Sequence, residues 1–220
     1  MTDEFNESFF DARFIHPFRL IISAPSSGGK SVFIQNLLRN SDRLISHKID
    51  EIVWFYGQET EFIKNPSNYL NVKINFVEGI PDDFDEYLNP RNNSLFIFDD
   101  LMENLNKEIT KLFTKKSHHQ NVSIILTLQD LFFKNPERPI LLRNANYLVL
   151  FSNPLDLSGI YAIASRIAPK RVKNFLKMFE EAVSRNKYGY LLIDGSQTTP
   201  LQARFRTDIF KHYQTVYHLI

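Results

Sequence analysis

The chain contains no cysteine among its 220 residues. Disulfides, thiolate zinc sites and cysteine nucleophiles are thereby excluded, and the absence fits a reducing compartment. It also lacks an excess of charge of either sign. With 26 basic and 25 acidic residues, overall charge argues neither for nor against a nucleic-acid partner, so any basic surface is local. Residues 1–11 are acidic and lack the apolar core of a signal peptide. The longest apolar runs, such as 147–151, are strand-length and far too short to span a bilayer. The expectation is a soluble, intracellular protein with no membrane partner. No internal repeat, low-complexity tract or linker is visible. The organisation expected is an N-terminal arm at 1–15, one domain at 16–210 and a C-terminal tail at 211–220. Hydrophobic residues make up 43% of the chain, enough for a core that needs no disulfide or metal.

What is present centres on residues 18–31. An apolar strand at 18–23 enters a loop of small residues, Ala24-Pro25-Ser26-Ser27-Gly28-Gly29, that ends in Lys30-Ser31 and opens a helix. Strand, loop and helix in that order are what a phosphate-binding P-loop requires. In such a loop, backbone N–H groups and a helix N-terminus converge on phosphate oxygens. Pro25, Ser26, Ser27, Gly28, Gly29, Lys30, Ser31 and Val32 are the candidate nucleotide-binding residues. Lys30 is placed to reach the β- and γ-phosphates, and the Ser31 hydroxyl to hold Mg²⁺. One residue departs from the motif: Ala24 stands where glycine is usual, and alanine tolerates fewer backbone conformations.

Strands are predicted at 51–56, 72–77, 94–98, 122–128 and 147–151. Helices are predicted at 30–39, from Pro81 onward, and at 103–117, 156–168 and 169–185, the last opened by Pro169. Residues 188–193 and 201–205 suggest a hairpin. Alternating strands and helices, with strands apolar on both faces, predict an α/β fold of the P-loop NTPase type. Its sheet would be mostly parallel, covered by helices on both faces, with the C-terminal antiparallel hairpin at one edge.

In an open parallel sheet, ligands bind beyond the carboxyl ends of the strands. The P-loop follows the first strand, Asp99 and Asp100 follow the 94–98 strand, and Gln129 follows the 122–128 strand. A phosphate cradle, two carboxylates and an amide are thus expected on one edge. Asp99 suits a Walker B role, holding Mg²⁺. Asp100, alternating to the other side of its strand, suits activation of the attacking water, although it is shorter than the glutamate common there. Gln129 suits a γ-phosphate sensor. Arg138, Arg143 and Arg166 are candidates for an arginine finger acting across a subunit interface, with Arg143 the first choice; an ordinary helix-end arginine is the alternative. The basic stretch 115–120 is either a polynucleotide contact or a solvated helix end. Two neighbouring histidines there lack a metal-site spacing.

Several segments, in order, carry a family resemblance: 17–31, Val53-Trp54-Phe55-Tyr56, Leu95-Phe96-Ile97-Phe98-Asp99-Asp100-Leu101-Met102, 118–129, 146–150 and 204–210. Together they resemble the poxvirus A32-like genome-packaging ATPases of the FtsK–HerA branch, above all the versions in Polinton/Maverick-type elements and adintovirus-like viruses. The likeness spans about residues 16–210. It implies a ring-forming, DNA-stimulated ATPase, pentameric or hexameric, that uses ATP and Mg²⁺ to pump double-stranded DNA into a preformed capsid. It implies Walker A roles for Lys30 and Ser31, Walker B roles for Asp99 and Asp100, and a sensor role for Gln129. Further implied are a sheet with the Gln129 strand between the P-loop and Asp99 strands, capsid or portal-vertex partners, and work inside an infected host cell, in nucleus or cytoplasmic factory, or with the virion. A nucleotide-binding switch with weak hydrolysis, another P-loop or helicase-like ATPase, and a small-molecule kinase are the readings left beside it.

Overall fold

The computed structural model describes residues 11–66, 72–155 and 157–219. The chain runs β1 (Arg19–Ser23), α1 (Lys30–Arg39), α2 (Ser41–Leu44), β2 (Glu51–Tyr56), α3 (Glu61–Lys64), β3 (Ile74–Glu78) and β4 (Ser94–Asp99). It continues through α4 (Lys107–Lys111), α5 (Ser117–His119), β5 (Val122–Leu128), α6 (Arg138–Asn144), β6 (Tyr147–Phe151), α7 (Ser158–Ile167) and α8 (Val172–Ser184). Strands β7 (Tyr190–Asp194), β8 (Phe205–Thr207) and β9 (Thr215–Tyr217) complete it. Among the described residues, nine strands form one sheet in the order β3-β2-β4-β5-β1-β6-β7-β8-β9. The first six are parallel to one another; β7, β8 and β9 add antiparallel.

The uninterrupted apolar strands are central because both of their faces are covered. Side chains alternate between two cores. Ile21, Val53, Phe55, Phe96 and Phe98 belong to one core that also takes in Phe84, Phe113, Ile163, Phe175 and Phe179, with Phe55 and Phe98 packed on Phe84. Leu20, Ile22, Trp54, Leu95 and Ile97 belong to the other core, together with Phe33, Ile34 and Leu37 of α1. Every residue of β4 and β5 is buried, as expected for parallel strands covered on both faces.

Several local expectations are corrected. The helix expected from Pro81 is a single 3₁₀ turn at Asp85–Tyr87. The helix expected at 103–117 starts four residues later, where the Asn106 side chain accepts the N–H groups of Glu108 and Ile109. It then widens into a π turn at Leu112–Lys116 before α5. Pro169 does not open α8, which begins at Val172. The third strand begins at Ile74 rather than at Val72. The hairpin has a longer connection than expected: β7 pairs with β8 through Leu192 and Arg206, and Leu201–Ala203 is a 3₁₀ turn instead of strand. Within the stretch expected to be a tail, Thr215–Tyr217 pairs with β8 as the edge strand. Within the expected arm, Phe14 is buried and bridges to Ile45; residues 1–10 lie outside the described residues. Among the described residues no helix is long and apolar enough to cross a membrane.

Candidate active site

The P-loop is built by backbone conformations that most residues avoid. Ser27 (φ 58°) and Gly29 (φ 109°) are left-handed, and the Gly28 N–H donates to the Pro25 carbonyl at 3.0 Å. Such alternation turns successive N–H groups into one concavity for an anion. A side chain at Gly28 would press on Pro25 and Ala24, with its Cβ about 2.9 Å from the Pro25 carbonyl oxygen. Ala24 needs none of this freedom. It has no positive φ, its N–H continues the sheet by donating to the Leu128 carbonyl at 3.1 Å, and its methyl is buried under α1. The non-glycine residue at the head of the motif is therefore a core residue.

Lys30, half-buried in the first turn of α1, folds back over the loop and donates to the Ala24 and Pro25 carbonyls at 2.7 and 3.0 Å. Burial lowers its pKa, while the charges of Asp99 and Asp100 oppose that shift. Both carboxylates therefore share the electrostatic neighbourhood of the P-loop lysine. Asp99 is 6% exposed. Burial pushes its carboxyl up from the usual range, and the Thr127 hydroxyl and Lys30 work in the other direction.

Asp100 does not follow the simple alternation expected of it. It leaves the strand in a left-handed conformation (φ 56°), which aspartate tolerates better than most residues. Its carboxylate accepts from Gln129 Nε2 at 2.6 Å. Gln129 thus orients Asp100 here, and its Oε1 lies 3.5 Å from Ser26 Oγ on the P-loop. A small recess beyond the strand ends, lined among others by Pro25, Gln129, Asp130 and Asn153, lies next to this group.

Two residues escaped the sequence reading. Thr127 is 1% exposed; its Oγ1 donates to Asp99 Oδ1 at 2.9 Å and accepts the Asp100 N–H at 3.1 Å. One hydroxyl thus ties both carboxylate residues to β5. The signal was a threonine two residues before Gln129 in a fully buried strand whose other polar residue, Ser123, lies at the opposite end. Gly57, just past β2, is the other. A Cβ there would collide with the Asp100 carbonyl oxygen, and its N–H donates to the Asp99 carbonyl at 3.0 Å.

Ser31 stands at the start of α1 beside Lys30, and Val32 is exposed on the first turn. Ser31 and Asp99 are both oxygen donors, the type Mg²⁺ selects when phosphates and water complete its shell. Among the described residues no three or more His, Asp or Glu side chains gather to hold an ion by themselves.

Arg143 is not part of this constellation. It is exposed at the end of α6, and its Nε donates to the Pro139 carbonyl. It sits by the start of β6, where the Asn146 N–H meets the Arg19 carbonyl at the start of β1. That is the sheet edge opposite the P-loop, so Arg143 does not reach this chain's own site. Arg138 and Arg166 both lie over the Phe132 ring, at 5.3 and 5.5 Å. The basic stretch 115–120 also lies at the far edge, and Lys116 pairs with Asp85 at 2.6 Å.

A P-loop before α1, with the β5 strand between the P-loop strand and the Asp99 strand, defines the fold of a P-loop NTPase. The strand order matches the one implied by the family resemblance. Solved structures of viral packaging proteins share this fold. The genome packaging NTPase B204 from Sulfolobus turreted icosahedral virus 2, in complex with ATP-γS, superposes with a TM-score of 0.58 at 16% identity, covering 93% of this chain and 98% of that one. Its complex with AMPPCP gives 0.57 at 16% identity. B204, the DNA-packaging ATPase from Sulfolobus turreted icosahedral virus, gives 0.57 at 14% identity over the same shares. At these identities the likeness is one of fold. No family model matches the sequence, and no curated protein matches it.

Proposed function

We propose that this chain is a Mg²⁺-dependent, DNA-stimulated ATPase of the A32-like, FtsK–HerA kind, in the version carried by Polinton/Maverick-type elements and adintovirus-like viruses. It would move viral double-stranded DNA into a capsid as a homo-oligomeric ring of five or six copies, docked on capsid or portal-vertex proteins, within an infected cell. The observation that carries the reading is the gathering of P-loop, Asp99, Asp100 and Gln129 on one sheet edge, where Thr127 bonds both aspartates and Gln129 bonds Asp100. The fold shared with B204 supports the packaging role.

In this reading the loop N–H groups and Lys30 hold the phosphates; Ser31 and Asp99 would hold Mg²⁺, which would supply charge neutralisation to the phosphates. Gln129 fixes one oxygen of Asp100, leaving Asp100 Oδ2 to orient the attacking water and accept its proton. Arg143, on the opposite edge, serves only if it enters a neighbouring copy's site. The test is ATP turnover by the purified protein with Mg²⁺, with and without linear duplex DNA. Wild type should hydrolyse ATP faster with DNA, and Lys30→Ala and Asp100→Asn should abolish turnover. No hydrolysis with DNA, at concentrations that permit assembly, would overturn the motor. Tight ATP binding without turnover would replace it with a nucleotide-binding switch.

A further inference from the structure

We infer that the Trp54 indole N–H is a positioning donor for Asp99, holding that carboxylate from the β2 side as Thr127 holds it from β5. The inference deepens the reading of Asp99 as the carboxylate that takes up Mg²⁺ with the nucleotide, and rests on it. Strand register brings the two residues together. Between β2 and β4, Trp54 lies opposite Ile97 and Tyr56 opposite Asp99. Residues two apart on a strand share a face. Trp54 is therefore a diagonal neighbour of Asp99, on the face whose core includes Leu95, Ile97 and Phe33 of α1. On the other flank, β5 pairs Leu126 with Phe98, which brings the Thr127 hydroxyl to 2.9 Å from Asp99 Oδ1.

The indole is 1% exposed, and its N–H makes no hydrogen bond among the described residues. A buried tryptophan usually finds an acceptor for that group, because an unmet donor in the interior bears its full desolvation cost. The charged acceptor it faces is Asp99. Burial pushes the Asp99 carboxyl up, and the Thr127 hydroxyl, Lys30 and the Trp54 indole all oppose that push. A carboxylate offers about four acceptor positions. Thr127 takes one of them, so a second donor can be met without displacing it.

The indole is itself held in place. Phe62 and Phe76 pack on it with ring centroids 5.2 and 6.0 Å away, and those two rings lie 6.2 Å from each other. Packing of this kind locks the rotamer and with it the direction of the N–H. Held from both neighbouring strands, the Asp99 carboxylate cannot turn about its single bond to Thr127. Groups behind a metal ligand orient it in this way, and losing one typically costs about 10–100-fold in metal affinity. Trp54 thus acts on metal uptake, while the phosphates are left to the loop N–H groups and Lys30.

Trp54 is the single tryptophan of the chain, so its emission can be read alone. The experiment titrates Mg²⁺ into the full chain with the non-hydrolysable ATP analogue AMPPCP while following that emission, and measures AMPPCP binding by calorimetry with and without Mg²⁺. In wild type, added Mg²⁺ should shift the emission. Asp99→Asn should lose the shift and still bind AMPPCP. Trp54→Phe keeps an aromatic ring against Phe62 and Phe76 and removes the N–H. It should bind AMPPCP as wild type does without Mg²⁺, but the Mg²⁺ concentration that half-completes the tightening of AMPPCP should rise about 10–100-fold. Phe62→Leu loosens the same aromatic cluster and keeps the N–H, so its Mg²⁺ requirement should stay that of wild type. Emission blind to Mg²⁺ in wild type, a shift that survives Asp99→Asn, or a wild-type Mg²⁺ requirement in Trp54→Phe overturns the inference and leaves the nucleotide site standing. An equal rise in Phe62→Leu and Trp54→Phe also overturns it, because packing and not the N–H then governs the metal. If Trp54→Phe does not fold, the emission of wild type and Asp99→Asn decides. If wild type binds no AMPPCP, the nucleotide reading itself falls, and the inference with it.

Discussion

Replacing Thr127 by valine keeps its shape and removes one hydroxyl from the centre of the site. Two hydrogen bonds go with it, to Asp99 Oδ1 and from the Asp100 N–H. A bond to a charged acceptor contributes about 1.5–3 kcal/mol and a neutral one about 1 kcal/mol, so folding should weaken by roughly 2–4 kcal/mol. The same loss frees Asp100 to drift from its left-handed turn, with only Gln129 holding its carboxylate. A displacement near 1 Å at a reacting group costs on the order of 100-fold in rate. Asp99 also loses a donor that opposes the effect of burial, so its pKa should rise further and the acid limb of the activity profile should move to higher pH. The assay is phosphate release at saturating ATP and Mg²⁺ across pH, with urea unfolding of the same samples. Thr127→Ser, which retains the hydroxyl, should recover most of both losses. Turnover of Thr127→Val within about threefold of wild type, a barrier change below ~1 kcal/mol, would refute the idea that this hydroxyl organises the carboxylates. An unchanged unfolding midpoint would refute the stability argument separately.

Gly57→Ala should displace the Asp100 turn, because the new methyl meets the Asp100 carbonyl oxygen; turnover should fall on the order of tenfold or more, and wild-type turnover would refute the steric argument. Arg206→Met should destabilise the fold by about 3–5 kcal/mol, since it strands the charge of Asp194, itself 1% exposed, in the interior; thermal and urea unfolding read this directly, and an unchanged midpoint would contradict it. His16 is buried against Ser123 at 2.6 Å, and burial, then the nearby His47, lower its pKa. The folded state thus favours neutral His16, while the unfolded chain takes up a proton below about pH 6.5. Its contribution to stability should be complete above that pH and lost as pH falls toward the lower folded value. Urea midpoints between about pH 5 and 8 should show this loss in wild type, and equal loss in His16→Phe would assign it elsewhere.

Much of this protein was legible as sequence because its strands are short, apolar and separated by polar turns. The bounds of α1, β2 and β6 follow from periodicity and composition alone. So does the placing of Lys30, Asp99, Asp100 and Gln129 at or just beyond strand ends, because a parallel sheet presents all those ends on one edge. The register of neighbours was beyond reach. That Thr127 lies between Asp99 and Asp100 depends on how β5 sits beside β4, and hydrogen bonds across strands leave no local trace. The helix start at Lys107 was set by the Asn106 cap rather than by periodicity. Edge strand β9 is three residues long, and only its partner makes it a strand.

Sequence by itself determined that a phosphate loop precedes a helix, that two carboxylates and an amide follow buried strands, and that cysteine chemistry is excluded. Those are properties of residue type and spacing along one chain. Tertiary structure decided that Ala24 is a core residue, that Arg143 faces away from its own site, and that the rings of Phe151 and Tyr188 close against Gly29. Each depends on which segments the sheet order brings together, and that order is set by packing both faces of the sheet at once.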